Sequence, residues 1–440
     1  MGCFYIESPA TRQLQQKAGK GDFEHMVIHT SIIRPAAHRL INEYVRRLRG
    51  ESWNPIHPEL DRILKETYGI MVYQEDVMKV TMELAGFKVE EADELRRVLS
   101  KKHRQKKLKE FEQKFRKGAR AKGLSEEQIN KIWEMIESFS GYSFCKPHSA
   151  SYILVSFKSA WLKAHHPAEF MASVISNQGG YYSTFAYISE ARRMGLKILL
   201  PDINRSWFEY KAEDGGIRVG FMQIKGLERK LVDRIIEERE RRGEFDGLED
   251  FLLRVQPQPE QARILVKARC FDNLEGVERR AELLWQINCW EKNRKSQAGL
   301  FGRNLNVPAN LPKLSEQEIL KQEEEALGFL VSCHPLELYK EKFKNLPITP
   351  SSKFKEKVGE RVLAVGWMIT RKLTETKNHE PMEFVSFEDL DGTYETIFFP
   401  KAFQKSYPLL RFNQFYLLRG VLCSDLGAIM LKVTQVSTAY

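Results

Sequence analysis

The chain has no paired cysteines: its six, Cys3, Cys145, Cys270, Cys289, Cys333 and Cys423, are scattered singly, with no CxxC to open a zinc site or a redox motif. They read as reduced, structural thiols. No apolar run approaches the roughly 20 residues that a bilayer span requires, so a membrane partner is not expected. The opening MGCFYIESPATRQ lacks a charged leader, an apolar segment and a small-residue cleavage site, which predicts a cytoplasmic protein rather than a secreted one. Long internal repeats and extended low-complexity tracts are also missing, which argues against solenoids and disordered tails.

What is present is the mixture of a folded multidomain protein. Hydrophobic residues make up 42% and charged residues 29% of 440 positions, enough chain for two to four compact units. The net charge of +10 favours a polyanionic partner, and it is concentrated: Arg96 to Lys122 holds thirteen Lys or Arg against only Glu110 and Glu112. Leu108, Phe111 and Phe115 recur there at helical spacing, so one stripe packs inward while cations project elsewhere. With few local acids to balance it, this face reads as phosphate-facing rather than merely solvated.

Ser125 and Gln128 form a capping box ahead of the apolar stripe Ile129, Ile132, Trp133, Ile136 and Phe139, a core pattern. A further helix runs from Tyr152 towards Phe170 and ends near His166-Pro167, because a residue before proline disfavours the helical conformation. Short strands are expected at Lys197 to Asn204 and Ile217 to Phe221, then helices at Glu228 to Arg242 and Leu314 to Lys344, with a hinge at Asn306 to Pro312. The last hundred residues change to five runs rich in β-branched and aromatic residues, RVLAVGWMI, MEFVSFEDL, YETIFFP, FYLLRGVL and AIMLKVTQV. Five strands fit an OB-fold barrel, and an immunoglobulin-like sandwich, the alternative, usually has about seven. The expected fold class is multidomain α+β, a mainly helical region followed by a C-terminal five-stranded barrel.

The motifs are more specific. GCFYIES (Gly2 to Ser8), YGIMVYQEDVM (Tyr68 to Met78), EADELRRVLSKK (Glu91 to Lys102) and GYSFCKPHSASYILVSFKSAWLKAHHPAEF (Gly141 to Phe170) resemble the fingers region of bacterial C-family DNA polymerases, the family of the DNA polymerase III alpha subunit. The resemblance spans nearly the whole chain and is strongest from Tyr68 to Asn204. It implies a palm/fingers junction at 1–55, fingers at 56–200, a helix-hairpin-helix and clamp-binding region at 201–303, a helical linker at 304–345 and an OB-fold at 346–440. Template-directed nucleotidyl transfer needs two Mg2+ ions on acidic residues. By the resemblance those residues are palm aspartates that precede this sequence, so no catalytic residue or metal ligand is assigned here, and Asp76, Asp93 and Asp202 read as structural carboxylates.

The resemblance implies that the fingers bind deoxynucleoside triphosphate and template phosphates. It assigns Arg96, Arg97, Lys101 and Lys102 to an arginine-rich motif, and Lys146, His148, Ser149 and Tyr152 to a loop-to-helix junction where free backbone N–H groups add donors. His103 and His379 are structural by comparison. The chain departs from the family at Cys145 and Pro147 beside the lysine, and at Arg34-Pro35-Ala36-Ala37, where a turn glycine is lost. Lys225 and Gly226 resemble a DNA-binding hairpin, with Glu228 in place of its second glycine, so a phosphate-binding and a purely structural hairpin both stay open. Gln297, Leu300 and Phe301 resemble a sliding-clamp peptide, the alternative being a loop that packs on its neighbour. In the barrel, Trp367, Phe384, Phe387 and Phe399, with Arg371, Lys372 and Lys377, are read as mostly core aromatics beside strand-tracking cations. The implied partners are primed DNA, deoxynucleoside triphosphates, the beta sliding clamp, a palm-containing segment and other replisome subunits. The competing readings are a non-catalytic DNA- and clamp-binding remnant and a decaying fragment.

Overall fold

The computed structural model describes residues 1–33, 38–100, 105–139, 144–295, 308, 311–376, 378–412 and 414–438, which form two compact units. The helical unit holds residues 3–160 with 423–430, and the other unit holds 1–2, 161–422 and 431–440.

The helical unit begins with α1 (Pro9–Ala18), α2 (Phe23–Ile32), α3 (His38–Leu48) and α4 (Pro58–Ile63). Ser8 and Asp22 start the first two by accepting from backbone N–H groups of Thr11 and His25, as N-caps do. Then come α5 (Gln74–Ala85), α6 (Val89–Leu99), α7 (Gln105–Ala121) and α8 (Glu126–Glu137). The Ser125–Gln128 capping box forms as read from the sequence, and Ile129, Ile132, Trp133, Ile136 and Phe139 are all buried. Phe111 and Phe115 join that core with Val77, Val80 and Leu95, so the inward stripe of the basic helix is confirmed. A second core gathers Ile28, Ile32, Tyr44, Val45, Val72 and Ile153. α9 (Lys146–His165) is longer than expected at its start and ends at the His166-Pro167 step, where α10 (Pro167–Asn177) begins with proline in its first turn.

The other unit continues with α11 (Thr184–Arg193) and a small sheet of β1 (Lys197–Leu199), β2 (Lys211–Glu213) and β3 (Gly216–Arg218). β3 lies between a parallel β1 and an antiparallel β2. The two expected strands are shorter than read, and β2 was not foreseen. Its KAE sequence carries no strand propensity, and the Asp214-Gly215 turn together with the Glu213–Arg218 ion pair holds it in place. Helices α12 (Arg229–Arg242), α13 (Leu248–Val255), α14 (Pro259–Lys267), α15 (Asp272–Glu275) and α16 (Arg280–Lys295) pack around Ile217, Ile235, Phe251 and Leu265. The single helix expected over Leu314 to Lys344 is instead α17 (Glu316–Leu327) and the short α18 (Lys340–Phe343). Gly328, at φ +86°, ends α17 in the left-handed conformation that continued helix forbids.

The five β-rich runs form β4 (Arg361–Glu375), β5 (Pro381–Glu388), β6 (Thr393–Phe398), β7 (Phe415–Asp425) and β8 (Ala428–Thr438), with α19 (Pro400–Ser406) after β6. They close in the order β4-β5-β6-β8-β7, a five-stranded barrel of OB type. The sandwich alternative is excluded by that closure. Met368/Thr370 breaks the β4–β5 register with a bulge, the usual device for bending a long strand around a barrel.

One buried group makes the helical unit sensitive to acid. His29 on α2 is fully buried against Tyr44, with neither ring nitrogen hydrogen-bonded among the described residues. Burial, with a smaller contribution from nearby His25, pushes its pKa down to about 4. Between the unfolded value near 6.5 and about 4, the unfolded chain therefore binds a proton that the folded chain refuses. Stability present above pH 6.5 is lost as the pH falls through this window, by up to about 3 kcal/mol for this one group. His29→Phe should be less sensitive to pH than the wild type in urea unfolding at pH 7, 5.5 and 4.5. Parallel pH profiles for the two proteins would contradict the assignment.

Candidate nucleic-acid interface

In the last turn of α6, Arg96 and Arg97 share one carboxylate: Arg96 Nη2 and Arg97 Nη2 each lie 2.8 Å from an oxygen of Asp93. Hydrogen bonds from Arg96, then the two guanidinium charges, hold the Asp93 carboxyl below its usual range. Two cations on one anion leave a net positive charge and unfilled donors at an exposed helix end. Arg96 is the more fixed of the two, since its Nη1 also donates to Gln74 Oε1 at 3.0 Å, at the start of α5. Lys101, Lys102 and His103 lie outside the described residues.

The start of α9 is joined to the same place. Gln74 N–H donates to the Phe144 carbonyl at 3.1 Å, and Lys146 N–H donates to Glu75 Oε2 at 3.1 Å. The Lys146 ammonium pairs with Glu66 and lies 5.6 Å from the Tyr73 ring centroid. Arg96 and Lys146, 50 positions apart in the sequence, are thus linked through the first two residues of α5. His148 is exposed, its ring stacked nearly parallel to Phe144 at 5.7 Å and 4.4 Å from Tyr152, which stacks in turn on Phe4 at 5.4 Å. Helical spacing puts His148 and Tyr152 on one face and turns Ser149 away. Ser149 is fully buried and accepts a hydrogen bond from the Ser31 hydroxyl at 2.7 Å, so it holds α9 to α2 beneath the surface that the other three share.

The surplus of positive charge near Arg96 to Lys122 is smaller in space than along the chain. Lys107 pairs with Glu94, Lys114 with Glu91 and Arg120 with Glu126, acids supplied by α6 and by the first turn of α8. This corrects the expectation that the basic face lacks balancing acids: most come from neighbouring helices, and Glu112 of α7 itself pairs with Arg116 at 2.8 Å. Lys106, Lys109 and Lys117 make no ion pair among the described residues.

The hairpin at Lys225-Gly226 is built as a turn, with Gly226 at φ +75°. Gln261 on α14 clamps it: Gln261 Nε2 donates to the Gly226 carbonyl at 2.8 Å, and its Oε1 accepts from Glu228 N–H at 2.9 Å. Lys225 N–H donates to the Ala326 carbonyl at 2.8 Å. Two hairpin amides are therefore satisfied internally, and what the turn offers a phosphate is the exposed Lys225 side chain beside Arg229 and Lys230 at the start of α12. Gln261 had no signal in the sequence, because a glutamine 35 residues from Gly226 acquires this role only through folding.

In the barrel, Trp367 and Phe387 are core, Phe384 is half-buried, and Phe399 is 38% exposed with Lys432 Nζ 4.9 Å from its ring centroid. Arg371 pairs with buried Glu383, Lys372 is exposed, and Lys377 lies outside the described residues, as do Gln297, Leu300 and Phe301. The remaining aspartates are structural. Asp76 Oδ2 accepts from Val72 and Tyr73 N–H, and Asp202 Oδ1 from Asn204 and Arg205 N–H. Among the described residues, no group of three or more His, Cys, Asp or Glu side chains is placed to hold a metal ion, and no helix is long and apolar enough to cross a membrane.

Residues 1–123 match the family model of the bacterial DNA polymerase III alpha subunit finger domain, and residues 195–282 match a helix-hairpin-helix motif. The chain is 35% identical to DNA polymerase III subunit alpha of Aquifex aeolicus, over 97% of this chain and 36% of that protein. It is 32% identical to that of Borreliella burgdorferi over 91% of this chain and 37% of the relative, and 33% identical to that of Neisseria meningitidis serogroup A over 96% and 38%. The chain spans little more than a third of the length of these relatives.

Gln261→Ala should destabilise its unit by about 1–3 kcal/mol, the cost of leaving the Gly226 carbonyl and the Glu228 N–H without partners. Chemical denaturation measures the loss, and faster hydrogen exchange at Glu228 should accompany it. An unchanged midpoint would show that the clamp is dispensable.

Proposed function

We propose that this chain, which carries the finger and helix-hairpin-helix regions of bacterial DNA polymerase III alpha subunits and ends in an OB-type barrel, serves as the nucleotide-, template- and clamp-engaging part of a DNA-directed DNA polymerase. The observation that carries this reading is the convergence of Arg96, Lys146 and His148 on one surface around the start of α5, of which Arg96 and α5 lie in the region that matches the finger domain. A triphosphate is polyanionic and is recognised by fixed cations and charge-assisted donors, which this surface offers. Glu66 and Glu75 now occupy the Lys146 ammonium and amide, so an entering phosphate would exchange with carboxylates rather than with water alone.

In this reading Arg96, Arg97, Lys101, Lys102, Lys146, His148 and Tyr152 bind phosphates and stack against the nascent pair, with Ser149 setting the helix from beneath. Lys225 tracks duplex phosphate, and Gln297, Leu300 and Phe301 tether the chain to a sliding clamp. The Mg2+ that supports nucleotidyl transfer would be held by acidic residues in the part of the relatives that this chain does not cover. The chain alone would then bind primed DNA without extending it.

The test is primer extension with Mg2+ and four deoxynucleotides, using this chain alone and then with a separately expressed palm-containing partner. Extension only with the partner is expected. Arg96→Lys should then lower kcat/KM for nucleotide about tenfold or more, because an ammonium cannot reproduce the guanidinium fork that meets Asp93, Gln74 and a phosphate together. No extension in either case, with salt-sensitive DNA binding retained, would leave a non-catalytic DNA- and clamp-binding remnant.

A further inference from the structure

A cavity of about 290 Å³ lies beside the hairpin, bounded by the start of α11, Gln223 and Lys225 of the hairpin, the end of α17 and strand β4, all in one unit. Its walls are aromatic and aliphatic. Phe185 lies 5.5 Å from Trp367 and 5.9 Å from Phe329, ring centroid to ring centroid, and Leu327 closes the floor. Its polar side chains are Ser183 and Thr184 at the start of α11, Gln223, Lys225 and Glu324. Lys225 is exposed, makes no ion pair among the described residues, and lies against the bare Cα of Gly328, where an added Cβ would sit 2.8 Å from Lys225 Cε. A Cβ at 328 would require the end of the Lys225 side chain to shift.

The size is at the lower end of the range for small-ligand sites, about 300–1,000 Å³, which admits one planar ring system and excludes a duplex end or a helix. Aromatic walls favour a flat, polarisable occupant. A single cation beside them suits one phosphodiester charge, and the Glu324 carboxylate suits an exocyclic amino group while disfavouring a free, doubly charged phosphate. A flat base joined to one anionic link is a nucleotide within a strand. We propose that this cavity receives one unpaired nucleotide of a DNA strand leaving the duplex at the hairpin, its base against the half-buried Phe329 on the wall that the buried Phe185 and Trp367 back, and its phosphodiester at Lys225. This deepens the polymerase reading and rests on it.

The test compares the full chain on a blunt duplex and on the same duplex with a 5′ single-stranded overhang carrying 2-aminopurine at the first unpaired position. The overhang should bind about tenfold more tightly, with quenched fluorescence, as one stacked base would produce. Thr184→Trp, which fills the cavity mouth, should abolish the preference and the quenching while blunt-duplex affinity stays within about twofold. Glu324→Ala, on the exposed rim where folding is not at stake, should weaken overhang binding several-fold, because the exocyclic amino group of the base loses its carboxylate partner. Equal affinity of the wild type for both duplexes, quenching that survives Thr184→Trp, or equally tight binding of free 2-aminopurine deoxynucleoside monophosphate would overturn the proposal. Blunt-duplex binding without overhang preference would sink the cavity alone, and binding to neither duplex would sink the polymerase reading as well.

Discussion

Asp76 is buried at the head of α5, where the first amides of a helix have no partners of their own. Its Oδ2 accepts from Val72 N–H at 2.9 Å and Tyr73 N–H at 2.8 Å, so the chain entering the helix is pinned to the helix's first turn. Burial pushes the Asp76 pKa up to about 6, against the pull of those two amides and of Lys79. The surface that Arg96, Lys146 and His148 share is built on that anchored turn. Gln74 and Glu75, the two residues before Asp76, hold Arg96 on one side and the start of α9 on the other. A helix end that must satisfy its amides inside the protein thereby becomes the joint at which two separate basic motifs meet.

The same economy governs charge. α7 has too few acids to balance itself, yet most of its partnered cations face carboxylates on α6 and α8. Surface pairs of this kind contribute little stability, about 0–1 kcal/mol each, and are weakened by salt. Their consequence is selection among cations: Lys106 and Lys109 make no ion pair among the described residues, and Arg96 and Arg97 share a single carboxylate, so uncompensated positive charge collects there.

The hairpin shows the alternative to binding through backbone amides. With Lys225 N–H given to Ala326 and Glu228 N–H given to Gln261, the turn is held by its own protein, and the exposed Lys225 side chain is what it presents outward. Glu228, which looks unfavourable at a phosphate-facing turn, is the residue whose amide is clamped. The clamp takes the backbone amide of position 228 and so does not depend on the glutamate side chain.

Much of this was legible without coordinates. The Ser125 capping box, the proline that ends α9, the inward stripe of α7 and the five barrel strands all follow from local rules, because spacing, caps and β-branched runs act over a few residues. The basic motifs and the hairpin were legible as residues but not as an arrangement. Only the folded chain decided that Ser149 faces Ser31 rather than the surface, that β2 forms from a charged triplet, that Gln261 holds Gly226, and that Arg96 and Lys146 share α5. Each of those outcomes rests on a partner dozens of residues away, and no local pattern carries the identity of such a partner.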